Sequence, residues 1–475
     1  MSTQSAAPTA ATTPAMLAGL LKTAATDPKL KGLISHVGDP TLSIATIDQA
    51  RPWAIGALAH HTPLLVVTAT GREAEDLTAE LKAMWGDQVA WFPAWETLPH
   101  ERLSPAADVA GTRAKILHNL ANLRIVVTAA RGVCQPILET TPGRDPLTLT
   151  VGHDYDFTEL THHLVFKAYK HVDLVARRGE FATRGGIIDI FPTTGEHPIR
   201  AEFWGDELTD LRAFSVADQR AFPDLDYPTV DVYPARELLI TDDVAGRAAE
   251  LAVAHRENPT LQELLTKVAD RIPTDGMEAL IPVLADLTAT PMRTLPELMP
   301  VGTHVVAVHP EKIRTRIADL QATDAEFLAA GWEAAAMGAA GPVDSRDLDL
   351  SASSYRSYDS LVVGATKAGQ SWWSVTPPGM GGEDALPLEF EPGPTPRGDL
   401  SQIGEMMSLL LAHTMAGGRA AFIAPAPGAI KRMADRFREQ GIAVAVAQPG
   451  AEPQPGEVTL YQALSHAGLV FPKVR

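Results

Sequence analysis

Cysteine is nearly absent from this sequence: Cys134 is the only one in 475 residues. A lone thiol closes no intramolecular disulfide and builds no cysteine-based zinc site, so a reducing cytoplasm is the expected location. Long apolar runs are missing as well. No stretch approaches the roughly 18 to 20 uninterrupted apolar residues that cross a bilayer, and no membrane partner is expected. Basic charge is in deficit, with 40 Lys and Arg against 58 Asp and Glu and a net charge of −18. That balance repels polyanions, which excludes broad docking on nucleic acid and leaves room only for local contacts.

Catalytic signatures are absent too. Not one Gly-Lys pair occurs, so the G-K-[ST] end of a phosphate loop, whose lysine reaches the outer phosphates, cannot form. No apolar strand ends in paired carboxylates for magnesium, since Asp206-Glu207 follows Gly205 in a turn. Neither H-E-x-x-H nor G-x-S-x-G is found, which removes the zinc-peptidase and serine-hydrolase templates.

What is present is a globular composition on a chain long enough for several domains. Residues 1–25 begin with Ser, Thr, Ala and Pro, lack a secretory signal and read as a flexible tail. Over residues 26–138 short apolar runs at 64–68, 89–92 and 125–128 alternate with helical spacings, Leu77, Leu81 and Met84 or Trp85, then Ile116, Leu117 and Leu120. This predicts an α/β fold with a doubly wound parallel sheet. Residues 139–218 change character. Asp156 is placed to cap a helix whose apolar face is Leu160, Leu164, Val165 and Ala168. After it, strand-like segments over 180–216 are cut by turns at 184–186, 193–196 and 205–206, which predicts an antiparallel meander in a small inserted α+β domain. In its third strand Ile199, Ala201 and Phe203 face one way and Arg200, Glu202 and Trp204 the other.

Residues 219–375 have mixed periodicity with a strand at 304–308. The Pro- and Gly-rich residues 376–398 read as a linker. Residues 399–475 form a further α/β domain, with a helix near Met407, a strand at 420–424, a helix bearing Ile430, Met433 and Phe437, Gly441 as its stop, and a strand at 442–446. The end at Phe471-Pro472-Lys473-Val474-Arg475, just after a strand-like run, reads as a cut within a longer chain, so this last domain is expected to be truncated.

The segment RGEFATRGGIIDIFP, from Arg178 to Pro192, followed by Arg200-Ala201-Glu202-Phe203-Trp204, resembles the second domain of UvrB and the matching domain of bacterial transcription-repair coupling factors. The likeness continues upstream through Ile125-Val126-Val127-Thr128 and downstream over residues 214–220, covering roughly the first half of the chain. Two departures separate the family members. UvrB opens its first domain with a phosphate loop, whereas the corresponding stretch here is Ala45-Thr46-Ile47-Asp48-Gln49-Ala50-Arg51, with Ala50 about where the lysine belongs. UvrB also clamps damaged DNA with a tyrosine-rich hairpin, whereas this chain has only WFPAWETLPHERLSP at residues 91–105. That segment is similar to the coupling factors in particular.

The resemblance implies a degenerate RecA/UvrB-like sheet (domain 1A, 26–138, with Ala50 and Arg51 marking the lost nucleotide site), a UvrB domain-2-like UvrA-binding domain (139–218), a domain 1B (219–375) and a variable third domain. It implies a module without a catalytic site that recruits UvrA to a stalled RNA polymerase in transcription-coupled nucleotide excision repair. It also implies a part in autoinhibition of the full-length DNA translocase, through contact with that protein's C-terminal domain. RNA polymerase, DNA, ATP and magnesium would engage domains beyond this chain, and no cofactor is expected within it. Arg184 matches an arginine that UvrB uses to bind UvrA. Lys170 and His171 lie near the other basic position of that site, Phe181 and Phe191 supply apolar anchor area, and Glu202 completes the set. Arg177 and Arg178, being adjacent, would point to opposite faces if that stretch is extended, so at most one joins such a patch. The competing reading of Arg184 is an internal ion pair with Glu180, Asp189 or Glu202. For the whole chain the alternatives are an active UvrB-type ATPase and damage verifier, or an unrelated small-molecule enzyme on the same α/β sheet.

Overall fold

The computed structural model describes residues 15–336, 348–395 and 400–474. The central feature is a seven-stranded parallel sheet in the order Leu386–Leu388, Thr41–Thr46, Ser371–Thr376, His304–Val308, Leu64–Thr68, Ile125–Ala129, Val89–Phe92. Every residue of Leu64–Thr68, Ile125–Ala129 and His304–Val308 is buried, as a parallel strand covered on both faces requires. Alternate side chains feed two cores. Leu64 and Val66 pack with Leu30, Ile55, Leu58 and Leu81 on one face. Leu65 and Val67 pack with Ile116, Val133, Ile313 and Leu361 on the other. The helix Gly71–Trp85 is started by a capping box, Thr70 accepting from the Glu73 amide and Glu73 from the Thr70 amide, and it buries Leu81 and Met84.

Several boundaries differ from the sequence expectation. Residues 18–24 are not a tail. They form the helix Ala18–Ala24, held because Leu17 and Leu21 are buried and the Leu17 amide donates to the Ala83 carbonyl at 2.7 Å. Of the expected linker at 376–398, residues 396–398 lie outside the described residues, and the rest is not simply a linker. Leu386–Leu388 pairs with Thr41–Thr46, the Thr46 hydroxyl donates to the Leu388 carbonyl at 2.9 Å, and Leu388 and Phe390 are buried. The expected separate domain at 219–375 is divided. The helices Asp242–Ala254 and Pro259–Ala269 build their own core around Leu261, Leu265 and Leu280, but His304–Val308 and Ser371–Thr376 return to the main sheet.

The inserted unit is a six-stranded sheet in the order Ala221–Asp226, Glu207–Phe214, Ile199–Trp204, Ile187–Ile190, Glu180–Arg184, Lys170–His171, antiparallel except for the last pair. It extends past the expected end at residue 218, because Thr229–Val232 returns to pair with Leu147–Thr150 and closes the unit on itself. Helix Phe157–Phe166 covers one face, capped by the Asp156 carboxylate accepting from the Thr158 and Glu159 amides. Leu160 and Leu164 face that core with Ile188, Ile199, Ala201 and Leu211. Val165 is 49% exposed and Ala168 lies beyond the helix at φ +63°, so neither belongs to the apolar face expected for it. At the far end a three-stranded parallel sheet, Ala420–Ala424, Val458–Gln462, Val444–Val446, packs against the helices Leu400–Met415 and Pro427–Glu439. Among the described residues no helix is long and apolar enough to cross a membrane.

Candidate functional site

The strands Glu180–Arg184 and Ile187–Ile190 are joined by Gly185 and Gly186 alone, with Arg184 opposite Ile187. Gly185 has φ +59°, a left-handed conformation that costs glycine little. Strand alternation then sorts the sheet. Phe181, Ile188, Ile190 and Ala201 enter the core under the helix. The opposite, outer face carries two cross-strand rows: Ala182, Asp189, Arg200 and Arg212, then Arg184, Ile187, Glu202 and Asp210.

Most charges on this face are already matched. Arg200 forks onto Asp189 at 2.8 and 2.9 Å and lies 5.0 Å over the Phe214 ring. That hydrogen-bonded carboxylate holds the Arg200 guanidinium above its ordinary pKa. Arg212 reaches Asp210 at 2.6 Å and Asp226 at 3.3 Å. The Glu180 carboxylate accepts from the Ala176 and Arg177 amides, each at 2.9 Å. Arg184 therefore pairs with none of Glu180, Asp189 and Glu202. Its Nη2 donates at 3.1 Å to the carbonyl of Asp173, and the side chain is exposed.

The other expected site residues are placed as follows. Lys170 and His171 are exposed on the edge strand beside Glu180–Arg184. Lys170 is opposite Glu180, so it stands at the far end of that strand from Arg184, roughly 13 Å away along it. His171 meets the Thr183 hydroxyl at 3.3 Å and the Phe181 ring at 4.9 Å. Phe181 and Phe191 are not surface anchors, being 2% and 8% exposed. Phe181 belongs to the helix-covered core. Phe191 is roofed by the irregular segment after the edge strand, whose Val172 and Val175 pack with it, Ala182 and Phe214. Glu202 is half-buried on the outer face, two strands from Arg184 in the same row. Arg178 lies in a turn rather than an extended stretch, donating to the Gly195 carbonyl at 2.8 Å and resting 5.4 Å over Phe191. Trp204, read from the sequence only as outward-facing, is 83% exposed.

The second place of interest is the turn between Thr41–Thr46 and the helix Arg51–Leu58. Ala50 is fully buried. Arg51, with its side chain 14% exposed, contacts the Asp48 carboxylate and donates at 2.6 Å to His309 Nε2. It spans the carboxyl ends of the parallel strands, where ligands of open α/β sheets bind. Burial lowers the pKa of Arg51 and, joined by the Arg51 charge, that of His309, which suits a neutral imidazole accepting from a guanidinium. Among the described residues no group of His, Cys, Asp and Glu is arranged to hold a metal ion.

The UvrB interaction domain family matches residues 147–238, an interval that begins with Leu147–Thr150 and encloses the meander and its closing strand Thr229–Val232. Transcription-repair-coupling factors of Mycobacterium tuberculosis and Mycobacterium bovis are 42% identical over 476 residues, covering 96% of this chain and 38% of the relative. That of Myxococcus xanthus is 35% identical over 243 residues, covering 48% of this chain and 20% of the relative. The chain thus spans well under half the length of these relatives. Over nearly all of its length the chain is similar to the N-terminal region of these transcription-repair-coupling factors, and its residues 147–238 match the UvrB interaction domain family.

Proposed function

We propose that this chain is the non-catalytic, partner-docking portion of a transcription-repair-coupling factor, and that the outer face of its meander binds UvrA. The observation that carries this reading is Arg184: an exposed guanidinium on a two-glycine hairpin, held by one backbone carbonyl and by no carboxylate. Such a group keeps most of its donors for a partner's acid, in the two-pronged geometry that distinguishes arginine from lysine. UvrA recruitment is the role that places a coupling factor between stalled transcription and excision. RNA polymerase, DNA, ATP and magnesium are assigned to parts of the full-length protein outside this chain, and the module takes part in restraining the translocase through its own contact with the C-terminal domain. A cytoplasmic location goes with these partners.

The degenerate nucleotide place supports the non-catalytic half of the reading. A phosphate loop needs bare backbone amides and a lysine at the outer phosphates. Here the helix start carries Ala50, buried, and Arg51, engaged with Asp48 and His309. The residues present do not fit ATP. Gel filtration of this chain with purified UvrA tests the proposal. Co-elution is expected, and should be lost on Arg184→Ala. Two independent peaks from the unmodified chain would remove it.

A further inference from the structure

Trp204 ends the strand Ile199–Trp204 on the outer face and is 83% exposed, an unusual position for a large indole. Its core-side neighbour Phe203 is packed edge-on by Tyr155 and Phe157, at centroid distances of 6.4 and 5.7 Å, so the strand itself is held rigidly. The reason the indole stays bare lies beside it. The Phe203 amide donates at 2.8 Å to the Gly186 carbonyl, which sets the Gly185-Gly186 turn directly against the strand end. A Cβ at Gly186 would stand 2.9 Å from the Phe203 carbonyl oxygen. The turn that presents Arg184 therefore contributes no side chain to screen Trp204.

The surroundings are acidic. Glu202 shares the outer face, Glu207 lies opposite Trp204 across the hairpin, and Asp206 sits in its turn. None of the three makes an ion pair among the described residues. From the register, the Cα atoms of Trp204 and Arg184 are about 12 Å apart, two strand spacings across and one residue pair along. Both fit within one side of a standard interface of about 800 Å² per partner.

We propose that Trp204 is the apolar anchor of the docking face. It seats in an apolar socket on the protein partner whose rim carries basic side chains opposite Glu202, Asp206 and Glu207, while a partner carboxylate meets Arg184. This rests on the reading that the face docks UvrA. A buried aromatic ringed by polar contacts is the usual centre of a protein interface. A nucleic-acid strand suits the site poorly, because stacking platforms for bases lie in basic grooves and this indole is bordered by carboxylates. A second copy suits it poorly as well, since a two-fold pairing of Trp204 would bring the same acidic rims together.

The test measures the affinity of the full chain for purified UvrA with Trp204→Ala, Trp204→Phe and Arg184→Ala in parallel, together with thermal melting, sedimentation and single-stranded DNA binding. Trp204→Ala is expected to weaken UvrA binding at least tenfold and Trp204→Phe less than threefold, with melting unchanged because the side chain touches no core. Replacing Glu207 with Lys is expected to weaken binding and to make it less sensitive to salt. If Arg184→Ala weakens binding and Trp204→Ala does not, the anchor is refuted while the docking face stands. If neither does, both fall. A Trp204→Ala variant that loses only self-association, or only DNA binding, overturns the proposal in favour of that other occupant.

Discussion

Arg184 Nη2 donates to the main-chain carbonyl of Asp173 at 3.1 Å, linking the hairpin to the irregular segment that follows the edge strand. One exposed hydrogen bond to a backbone oxygen orients the guanidinium without neutralising it. Arg184→Ala is therefore expected to weaken UvrA binding by at least about 2 kcal/mol, as interface hot spots do, while the stability of the chain changes by less than about 0.5 kcal/mol. Titration calorimetry against UvrA and a denaturation curve separate the two effects. An equal loss in both would return Arg184 to a purely structural role.

Gly111 is where the inserted unit meets the large one. It lies in the helix Ala107–Asn119, and an added Cβ would fall 2.0 Å from the hydroxyl of Thr193, which is itself 1% exposed and donates to the Tyr233 carbonyl at 3.2 Å. In an open helix, glycine to alanine stabilises by about 1 kcal/mol. Here the sign should reverse, with Gly111→Ala losing about 1 to 3 kcal/mol to overpacking. Thr193→Ala in the same chain should recover part of it. A Gly111→Ala variant melting above the parent would show that the seam can open.

Arg51 joins Asp48 and His309 at the carboxyl end of the sheet. Its removal leaves His309 Nε2 without the donor at 2.6 Å and should lower stability by about 1 to 2 kcal/mol. Neither Arg51→Ala nor Arg51→Lys should bind a fluorescent ATP analogue. Saturable binding by the lysine variant would mean the loop retains a phosphate cradle.

His304 gives the chain a pH response. The Gly38 amide donates to its Nε2 at 3.1 Å, and its Nδ1 faces the Gly302 carbonyl at 3.2 Å and the Thr62 hydroxyl at 3.1 Å. Nε2 is thus an acceptor and the ring neutral. Burial lowers its pKa, against smaller opposite effects of the Gly302 carbonyl and Asp39. The unfolded chain accepts a proton near pH 6.5 that the folded chain resists, so this contribution is complete above about pH 6.5 and is lost as pH falls below it, by at most about 1.4 kcal/mol per pH unit. Urea midpoints between roughly pH 7.5 and 5.5 should fall for the parent and fall less steeply for His304→Gln. His60, His100 and His309 are also lowered by burial, so the slope should shrink rather than vanish. Parallel slopes would dismiss His304 as the source.

The buried strands were legible because Leu64–Thr68 and Ile125–Ala129 are apolar runs broken only by Thr68 and Thr128, the pattern of a parallel sheet covered on both sides. The meander was legible because its turns carry glycine and its strands alternate. The strand Leu386–Leu388 was hidden by Pro387. Proline supplies no amide, and such a strand is tolerated only because it lies at the sheet edge with a single neighbour. Ala168 obscured a helix end by adopting φ +63° where glycine is the usual residue. At the site, alternation assigned Arg200, Glu202 and Trp204 to the outer face. It gave no sign of the second layer that buries Phe191, because Val172 and Val175 reach it from an irregular segment. The Asp173 carbonyl that holds Arg184 was out of reach for the same reason, since a main-chain acceptor in a coil leaves no mark on residue type.

The order of strands in the large sheet also sets a timetable for synthesis. Thr41–Thr46, the first strand of the sheet to leave the ribosome, has Ser371–Thr376 and Leu386–Leu388 as its two neighbours, and Thr376 bonds to Ile44 across 332 residues. Until those late segments emerge, the earliest strand has no sheet partner, and closing so long a loop is a slow, non-local step. The meander needs nothing so distant, because all its strands lie between Lys170 and Asp226. The Arg184 hairpin can thus be complete on a nascent chain whose first strand is still waiting.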